Sequence, residues 1–571
     1  MNLLKIISFC LICLQMISCN YNKQDSQKKK EEEEQKPNII LFLVDDLGYT
    51  DVGTFAKKIT GVPQKEQFYE TPNIGRLASE GISFSQAYAC PLCAPTRSSI
   101  LTGKYASKLG FMTATGSGEE MFYAKGIKPP EGFSPYDELW KDNIPIEQAV
   151  NNGYTNIALP SGNIGDNNNE ITLAEMLKGY NSAFLGKWHV GGHGVVGHQP
   201  KDQGFQEIAY FDAGGSPYYN WRKLWDTSNP YPTVQKVAAR GKSGEPTGKD
   251  YLTDDLTEQA LRFIDKQTEN KNSQPFFLDF CEFAVHAPLQ APKELTEYFD
   301  SKRTKGWNGH HNPVYAAMIK KLDESVGKIM DKLKEKGIEE NTIIVFMSDN
   351  GGVTWNTHNP ADTTATTSNA PLKGGKAMLY EGGIRVPLII WQKGKIPAGI
   401  WSNTPVDCND IYPTLAQMSN SQYNHNEIDG YSLKSLFKDP HNAQENYKRT
   451  TFYWHYPLNV IVKNPDDGYA LTPQSAIRKG DYKLIFDWYG RLKLYNIKQD
   501  ISEKNNLAFK KPDITRALFK DLITWLDNNV KERYLPVPNP KYNPAKEVRK
   551  VPYVNLYQAY KQNKDIIKLA H

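Results

Sequence analysis

Cysteine is scarce in this chain. Seven residues in 571 are cysteine, an odd number, and three of them (Cys10, Cys13 and Cys19) fall within the first twenty positions. So few thiols in so long a chain argue against a disulfide framework. Excess charge of either sign is also missing. The net charge is +4, which gives no electrostatic footprint for nucleic acid and confines any basic groups that matter to a local site. Beyond the first residues no apolar stretch approaches the length of a membrane span, and no internal repeat suggests a solenoid. What is present is an ordinary 39% hydrophobic content, enough for one large domain with a smaller companion and for an enzyme.

The chain opens with Lys5, an apolar stretch from Ile6 to Ile17, and Ser18 before Cys19. That order is a signal peptide over residues 1–18 and is too short for a spanning helix. Met16-Ile17-Ser18-Cys19 resembles a bacterial lipobox, with Met16 standing where Leu is commoner. The resemblance implies lipidation of Cys19, a membrane anchor through lipid alone, and an exported protein facing the periplasm or displayed at the surface. An ordinary cleavage site on a soluble exported protein is the alternative. Residues 19–36, with Lys28-Lys29-Lys30 and Glu31 to Glu34, carry almost nothing to bury and read as a solvated tether.

Ile39 to Val44 is a continuous apolar run that stops at Asp45-Asp46, and Thr342 to Met347 repeats the design before Ser348-Asp349-Asn350-Gly351-Gly352. Runs of this kind are buried parallel strands, here with acidic groups at their carboxyl ends. Ligands of open α/β sheets sit outside those ends, so two clusters far apart in sequence point to one site. Helical patterns at Asn73 to Glu80, Leu173 to Lys178 and Tyr315 to Leu333 lie between, giving an α/β sandwich. Past residue 445 the pattern changes to short alternating segments, Ser475 to Arg478, Tyr482 to Phe486 and Leu492 to Tyr495, separated by turns at Lys479-Gly480-Asp481 and Tyr489-Gly490. Ile514 to Asn528 reads as a closing helix. The polar, proline-spotted stretch after about Pro540 carries no clear pattern.

Cys93-Ala94-Pro95-Thr96-Arg97, followed by Leu101-Thr102-Gly103, resembles the signature of the formylglycine-dependent (type I) sulfatases, a branch of the alkaline-phosphatase-like superfamily. The likeness continues through Asp45-Asp46-Leu47-Gly48-Tyr49, Thr71-Pro72-Asn73-Ile74, Gly186-Lys187-Trp188-His189, His286-Ala287-Pro288, Ser348-Asp349-Asn350-Gly351, Gly375-Lys376 and Tyr380 to Pro387.

The resemblance implies a bacterial carbohydrate sulfatase in which a maturation enzyme oxidises Cys93 to formylglycine (3-oxoalanine). One hydroxyl of the hydrated aldehyde attacks sulfur, and the second expels sulfate afterwards, which a serine has no means of doing. It implies one Ca²⁺ held by Asp45, Asp46, Asp349 and Asn350, hard oxygen ligands of the kind that ion prefers. Arg97 supports the nucleophile, Lys187 and Lys376 bind sulfate oxygens, and Lys373 competes with Lys376 for that role. His189 is the expected proton acceptor and His286 the acid for the leaving alcohol, with their roles open to exchange. His193, His198, His358 and His455 carry no such assignment, and Trp221, Trp225, Trp355, Trp454 and Tyr456 are left as core residues or sugar platforms.

By the same likeness residues 37–445 hold the catalytic domain, 446–540 a subdomain with a small antiparallel sheet and a helix, and 541–571 a tail. The expected substrates are sulfated polysaccharides or their oligosaccharides, algal or glycosaminoglycan, and no nucleic acid. A phosphonate or phosphate ester hydrolase of the same superfamily and a non-catalytic glycan-binding lipoprotein are the alternatives.

Overall fold

A segment such as Asn38–Val44, NIILFLV, has no polar face to offer water, so it is stable only inside a sheet covered on both sides. In the computed structural model it is the central strand, β1, of an eight-stranded sheet. The structure describes residues 36–113, 153–155, 170–190, 198–211, 214–219, 221, 251–269, 274–355, 365–438, 447–458, 460–549 and 553–570. Met1–Pro37 is a unit apart and almost wholly outside that range, so the expected signal peptide, Cys19 and tether lie outside it too. The other unit, Asn38–His571, holds the sheets and their helices.

The other strands of the large sheet are β2 (Ile82–Phe84), β3 (Asn181–Lys187), β4 (Glu207–Phe211), β5 (Phe276–Cys281), β6 (Thr342–Ser348), β7 (Leu388–Trp391) and β8 (Ile400–Ser402). They lie side by side as β8-β2-β7-β6-β1-β5-β3-β4. Strands β6, β1, β5, β3 and β4 are mutually parallel, and β7 alone runs against its neighbours. Register is tight where it matters: Val44 lies opposite Ser348, Leu43 opposite Cys281, and Gly186 opposite Cys281.

Successive residues of β1 point into different cores, as the strand period requires. Ile40, Phe42 and Val44 join one, Ile39, Leu41 and Leu43 the other. The first is closed by α1 (Pro72–Glu80), α3 (Leu252–Thr268) and α4 (Pro313–Lys336), the second by α2 (Cys93–Thr102) and α5 (Ile411–Met418). Helix α1 starts with proline in its first turn, and the amides of Asn73 and Ile74 donate to Asp323 of α4 at 2.8 Å each. Helix α4 is capped by Asn312, which accepts from the amides of Val314 and Tyr315. The expected helix at Leu173 is a single turn, Leu173–Met176, with a Thr172/Glu175 capping box; it goes no further because Leu177 leaves helical geometry ahead of the left-handed Gly179.

Beyond residue 447 a four-stranded antiparallel sheet forms from β9 (Thr451–Tyr456), β10 (Gln474–Lys479), β11 (Tyr482–Asp487) and β12 (Arg491–Asn496) in that order. Gly480 and Gly490, with φ of 60° and 100°, sit at the two expected turns. Helix α6 (Pro512–Asn529) covers the sheet, Phe519 meeting Phe486 edge to face at 5.0 Å. The terminal stretch supplies α7 (Leu556–Lys561) and α8 (Ile566–Ala570), anchored by buried Leu556 and Ile566. This third core also takes in Tyr88, Leu92, Met112, Ala377 to Tyr380 and Ile384, so it is continuous with the loop that carries Lys376.

Candidate catalytic site

Four adjacent parallel strands, β6, β1, β5 and β3, end at one level. Past their ends they carry Asp349-Asn350, Asp45-Asp46, the turn to His286, and His189. The pairing continues beyond the strands: the Asp349 amide donates to Val44 O at 2.9 Å, and the Asp45 amide to Ala284 O at 3.0 Å. Cys93 opens helix α2 against this edge, and the 373–383 loop delivers Lys376.

These groups meet. Cys93 Sγ lies 3.3 Å from His189 Nδ1. Lys187 Nζ is 2.6 Å from Asp45 Oδ2, and Lys376 Nζ is 2.7 Å from Asp46 Oδ1 and 2.9 Å from Oδ2. The Arg97 fork donates from Nε (3.1 Å) and Nη2 (2.8 Å) to Asp349 Oδ2, and from Nη1 to Lys187 O at 2.9 Å. Asn350 Nδ2 donates to Asp46 Oδ1 at 2.8 Å, and His286 Nε2 stands 3.7 Å from Asp46 Oδ2. All ten residues named from the sequence for catalysis and metal binding thus belong to one cluster. Lys373 lies outside this cluster, paired with Asp466 and over the Tyr380 ring.

Burial governs the electrostatics. It raises the carboxyl of Asp45 and, with Asp45 beside it, that of Asp349 to about 6. Burial acts the same way on Asp46, but Lys376 and His286 outweigh it and hold that group well below the carboxylate range. The Cys93 thiol is pushed up by burial. Burial and Lys187 depress His189, while burial and Lys376 take His286 down to about 3. Two acceptors stand out. Asp45 Oδ1 and Asn350 Oδ1 are buried and accept no hydrogen bond, each at a cost of about 1–3 kcal/mol. Asp45, Asp46 and His286 bring ligand atoms within 4.8 Å of one another, as do Asp45, Cys93 and Asp349. Carboxylate and amide oxygens left without donors fit a hard divalent cation.

The backbone is bent to make this arrangement. Asp46, His189 and Ala377 have φ of 63°, 54° and 66°, left-handed values that cost a non-glycine residue about 1 kcal/mol or more. Behind them stands a buried layer that sequence reasoning missed. Tyr315 OH donates to Asp51 Oδ2 at 2.7 Å and lies 3.1 Å from Asp46 O, and Asp51 also accepts from Thr367 Oγ1 and the Gly48 amide. Asp51 lies near Asp45-Asp46 in sequence, but nothing there marks it as more than a turn residue.

Trp221, Trp454 and Tyr456 are buried, and His455 is held between Ser475 Oγ and Tyr534 O. His198 accepts from Trp188 Nε1 at its carbonyl. Trp355 is half-buried and its carbonyl takes the Thr366 amide. His193, His358 and Trp225 lie outside the described residues.

Gly214 and Gly215 were also missed. A Cβ on Gly214 would fall 2.8 Å from His189 Cε1 and 2.9 Å from Nε2, and one on Gly215 3.2 Å from His286 Nδ1. At Gly214 a methyl group would displace the His189 ring, and at Gly215 it would press His286 by a few tenths of an ångström. Gly214→Ala is expected to lower kcat/KM by about 100-fold, the scale of an ångström's displacement of a reacting group, with little change in melting temperature. Wild-type kinetics in this variant would mean that the His189 ring position is unimportant.

Residues 37–421 match the family described as Sulfatase, and residues 375–531 match N-sulphoglucosamine sulphohydrolase, C-terminal. The chain is 29% identical to a sulfatase of Formosa agariphila over 96% of each protein. It is 32% identical to the N-acetylgalactosamine-6-sulfatase of Canis lupus familiaris over 67% of this chain, which spans 62% of that relative's length. Among solved structures it resembles Ps i-CgsB in complex with k-i-k-neocarrahexaose, with a TM-score of 0.63 and 28% identity over 88% of this chain and 95% of that one.

Proposed function

The chain belongs to the sulfatase family, the sulfuric ester hydrolases, and from that premise we propose that it removes sulfate from a carbohydrate, using an aldehyde formed from Cys93 and a calcium ion held by Asp45, Asp46, Asp349 and Asn350. The observation that carries this reading is the Cys93 sulfur, 3.3 Å from His189 Nδ1, amid three buried cations and three buried carboxylates with two orphaned oxygens beside them. Carbohydrate as the substrate class is supported by the N-acetylgalactosamine-6-sulfatase and neocarrahexaose relatives.

A sulfate ester is an anion that repels nucleophiles, so the site must supply positive charge and a nucleophile stronger than water. The hydrated aldehyde would provide that nucleophile and the means of releasing sulfate. The calcium ion would neutralise oxygen charge and ease deprotonation of the attacking hydroxyl. Everything else falls to the chain. Lys187 and Lys376, each within 3 Å of a carboxylate, hold the sulfate oxygens on the side facing Cys93. Arg97 gives three of its five N–H donors to Asp349 and the Lys187 carbonyl, so it fixes the geometry and adds its charge. His189 takes up the proton from position 93 at Nδ1. His286 Nδ1 lies 2.7 Å from Ala287 O, which fixes its hydrogen there and leaves Nε2 free. An anionic substrate beside Nε2 raises that imidazole and lets it protonate the leaving alcohol.

Export and lipidation at Cys19 complete the proposal and rest on the sequence. No helix among the described residues is long and apolar enough to cross a membrane.

The test is the mass of the Cys93 peptide from protein made in a host with the maturation enzyme, together with sulfate release before and after chelation. A peptide lighter by roughly 18 Da than the thiol form and chelator-sensitive release are expected. Calcium at a thousandfold excess over its Kd should stabilise the chelated protein by about 4 kcal/mol, read as a rise in melting temperature. Faster turnover of phosphate monoesters would favour the phosphate ester alternative. A bare thiol with no hydrolysis would leave the glycan-binding one.

A further inference from the structure

Helix α2 has two functional ends. Its first residue is Cys93; at its last turn Gly103 O accepts the amides of Asp429 and Gly430, which wall a separate cleft of about 1390 Å³. Ten helical residues at 1.5 Å each put that cleft about 15 Å from the Cys93 end. None of the catalytic groups lines it.

Its floor is built around Arg449. That side chain is 2% exposed; Nη2 donates to Asn409 Oδ1 and Asp410 Oδ1 at 2.6 Å, Nη1 to Tyr105 OH at 2.8 Å, and Nε is buried without a partner. The guanidinium lies 5.1 Å from the Tyr431 ring centre and 5.8 Å from that of Tyr105. A third ring, Tyr453, is stacked on Trp525 at 4.6 Å and 3°. The rings lining the cleft are therefore fixed from behind, and little ordering remains to oppose a ligand. Tyr431 is 44% exposed, a large ring left at the opening.

Among the described residues the exposed charges at the rim are positive. Lys434, Lys438 and Lys448 line the cleft and are exposed, and none is in an ion pair with a described residue. The only carboxylate among the described lining residues, Asp429, is taken by Lys108 at 2.6 Å and the Tyr105 amide. The remaining lining is mostly amides and hydroxyls such as Gln417, Ser432 and Thr451. Fixed aromatic faces suit the apolar faces of pyranose rings, amides and hydroxyls suit their hydroxyl groups, and unpaired lysines suit sulfate.

We propose that this cleft is a non-catalytic binding site for a sulfated polysaccharide chain, holding polymer to the protein while the Cys93 site acts elsewhere on it. The inference rests on the sulfatase reading for its choice of polymer but not for its measurement. The test is affinity electrophoresis of the full chain through gels containing ι-carrageenan, chondroitin sulfate or dextran sulfate, with dextran as the uncharged control, alongside hydrolysis of 4-nitrophenyl sulfate.

Wild type should be retarded by at least one sulfated polymer and not by dextran. Tyr431→Ala/Lys448→Ala should weaken that retardation about tenfold or more, from a lost stacking face and a lost charge, and leave 4-nitrophenyl sulfate hydrolysis and the melting temperature unchanged. Lys448→Glu, a surface change that leaves folding alone, should weaken it too. Retardation should fade as salt rises from about 0.1 M to 1 M. A wild type retarded by none of the three polymers, equal retardation by dextran, or variants that bind as wild type would each overturn the proposal. Loss of 4-nitrophenyl sulfate turnover in wild type with intact, variant-sensitive retardation would instead count against the catalytic reading alone and uphold the cleft.

Discussion

Cys93→Ala is expected to lower sulfate release by roughly 10⁵-fold or more, the scale of deleting a covalent nucleophile whose partners remain in place. The fold should be untouched. Cys93 is 2% exposed and, among the described residues, the one hydrogen-bond contact of its sulfur is the 3.3 Å approach to His189, so alanine removes one sulfur and opens a small gap. Cys93→Ser separates the aldehyde chemistry from simple nucleophilic attack. A serine hydroxyl forms a sulfate ester but has no second hydroxyl with which to expel it. The serine variant should release about one equivalent of alcohol per chain, the burst expected of a trapped covalent intermediate, and then stop. Continuous turnover by the serine variant would sink the aldehyde mechanism.

The second large effect concerns stability as well as rate. Arg97 is 2% exposed, and two of its donors end on the same oxygen of Asp349. Asp349→Ala leaves a guanidinium in the interior without its directly bonded carboxylate, and breaking a buried pair from one side costs about 3–5 kcal/mol. Asp349→Asn keeps an acceptor for Arg97 at the same place and should recover much of that loss. Both variants should be inactive, because the proposed cation site loses a charged ligand. Denaturant unfolding and sulfate release measured on the two variants separate the roles. Equal stability of Asp349→Ala and wild type would show that Arg97 finds another partner.

These two residues also mark what the sequence makes visible. The apolar runs before Asp45-Asp46 and Asp349-Asn350 have one stable placement, the middle of a covered parallel sheet, so strand identity and the position of the acids follow directly from composition. Sheet order does not. Nothing in Leu388-Ile389-Ile390-Trp391 says that it runs against its neighbours, since a fully buried strand reads alike in either direction. Lys483 shows a second limit. It sits in a short strand where a lysine normally faces water, yet it is fully buried between Glu381 and Glu503 at 2.8 Å each. Its partners come from 102 residues before it and 20 after it, and that pairing exists only once the antiparallel sheet has docked on the Lys376 loop. Gly214 and Gly215 were illegible for a similar reason. Their importance is the space they leave, and space is a property of what surrounds a residue.

The arrangement of the site also sets a clock. In the finished fold the Cys93 sulfur is covered, with carboxylates, lysines and an imidazole packed over it from positions between 45 and 376, so a second protein has no route to it. The oxidation of that thiol proposed above would therefore belong to the interval before the chain closes. Strands β1 and β6 are neighbours in space but start 304 residues apart, and contacts of such long range form late and slowly. The topology that buries the sulfur also delays its burial, and the length of that delay would be the time the proposed maturation enzyme has to work.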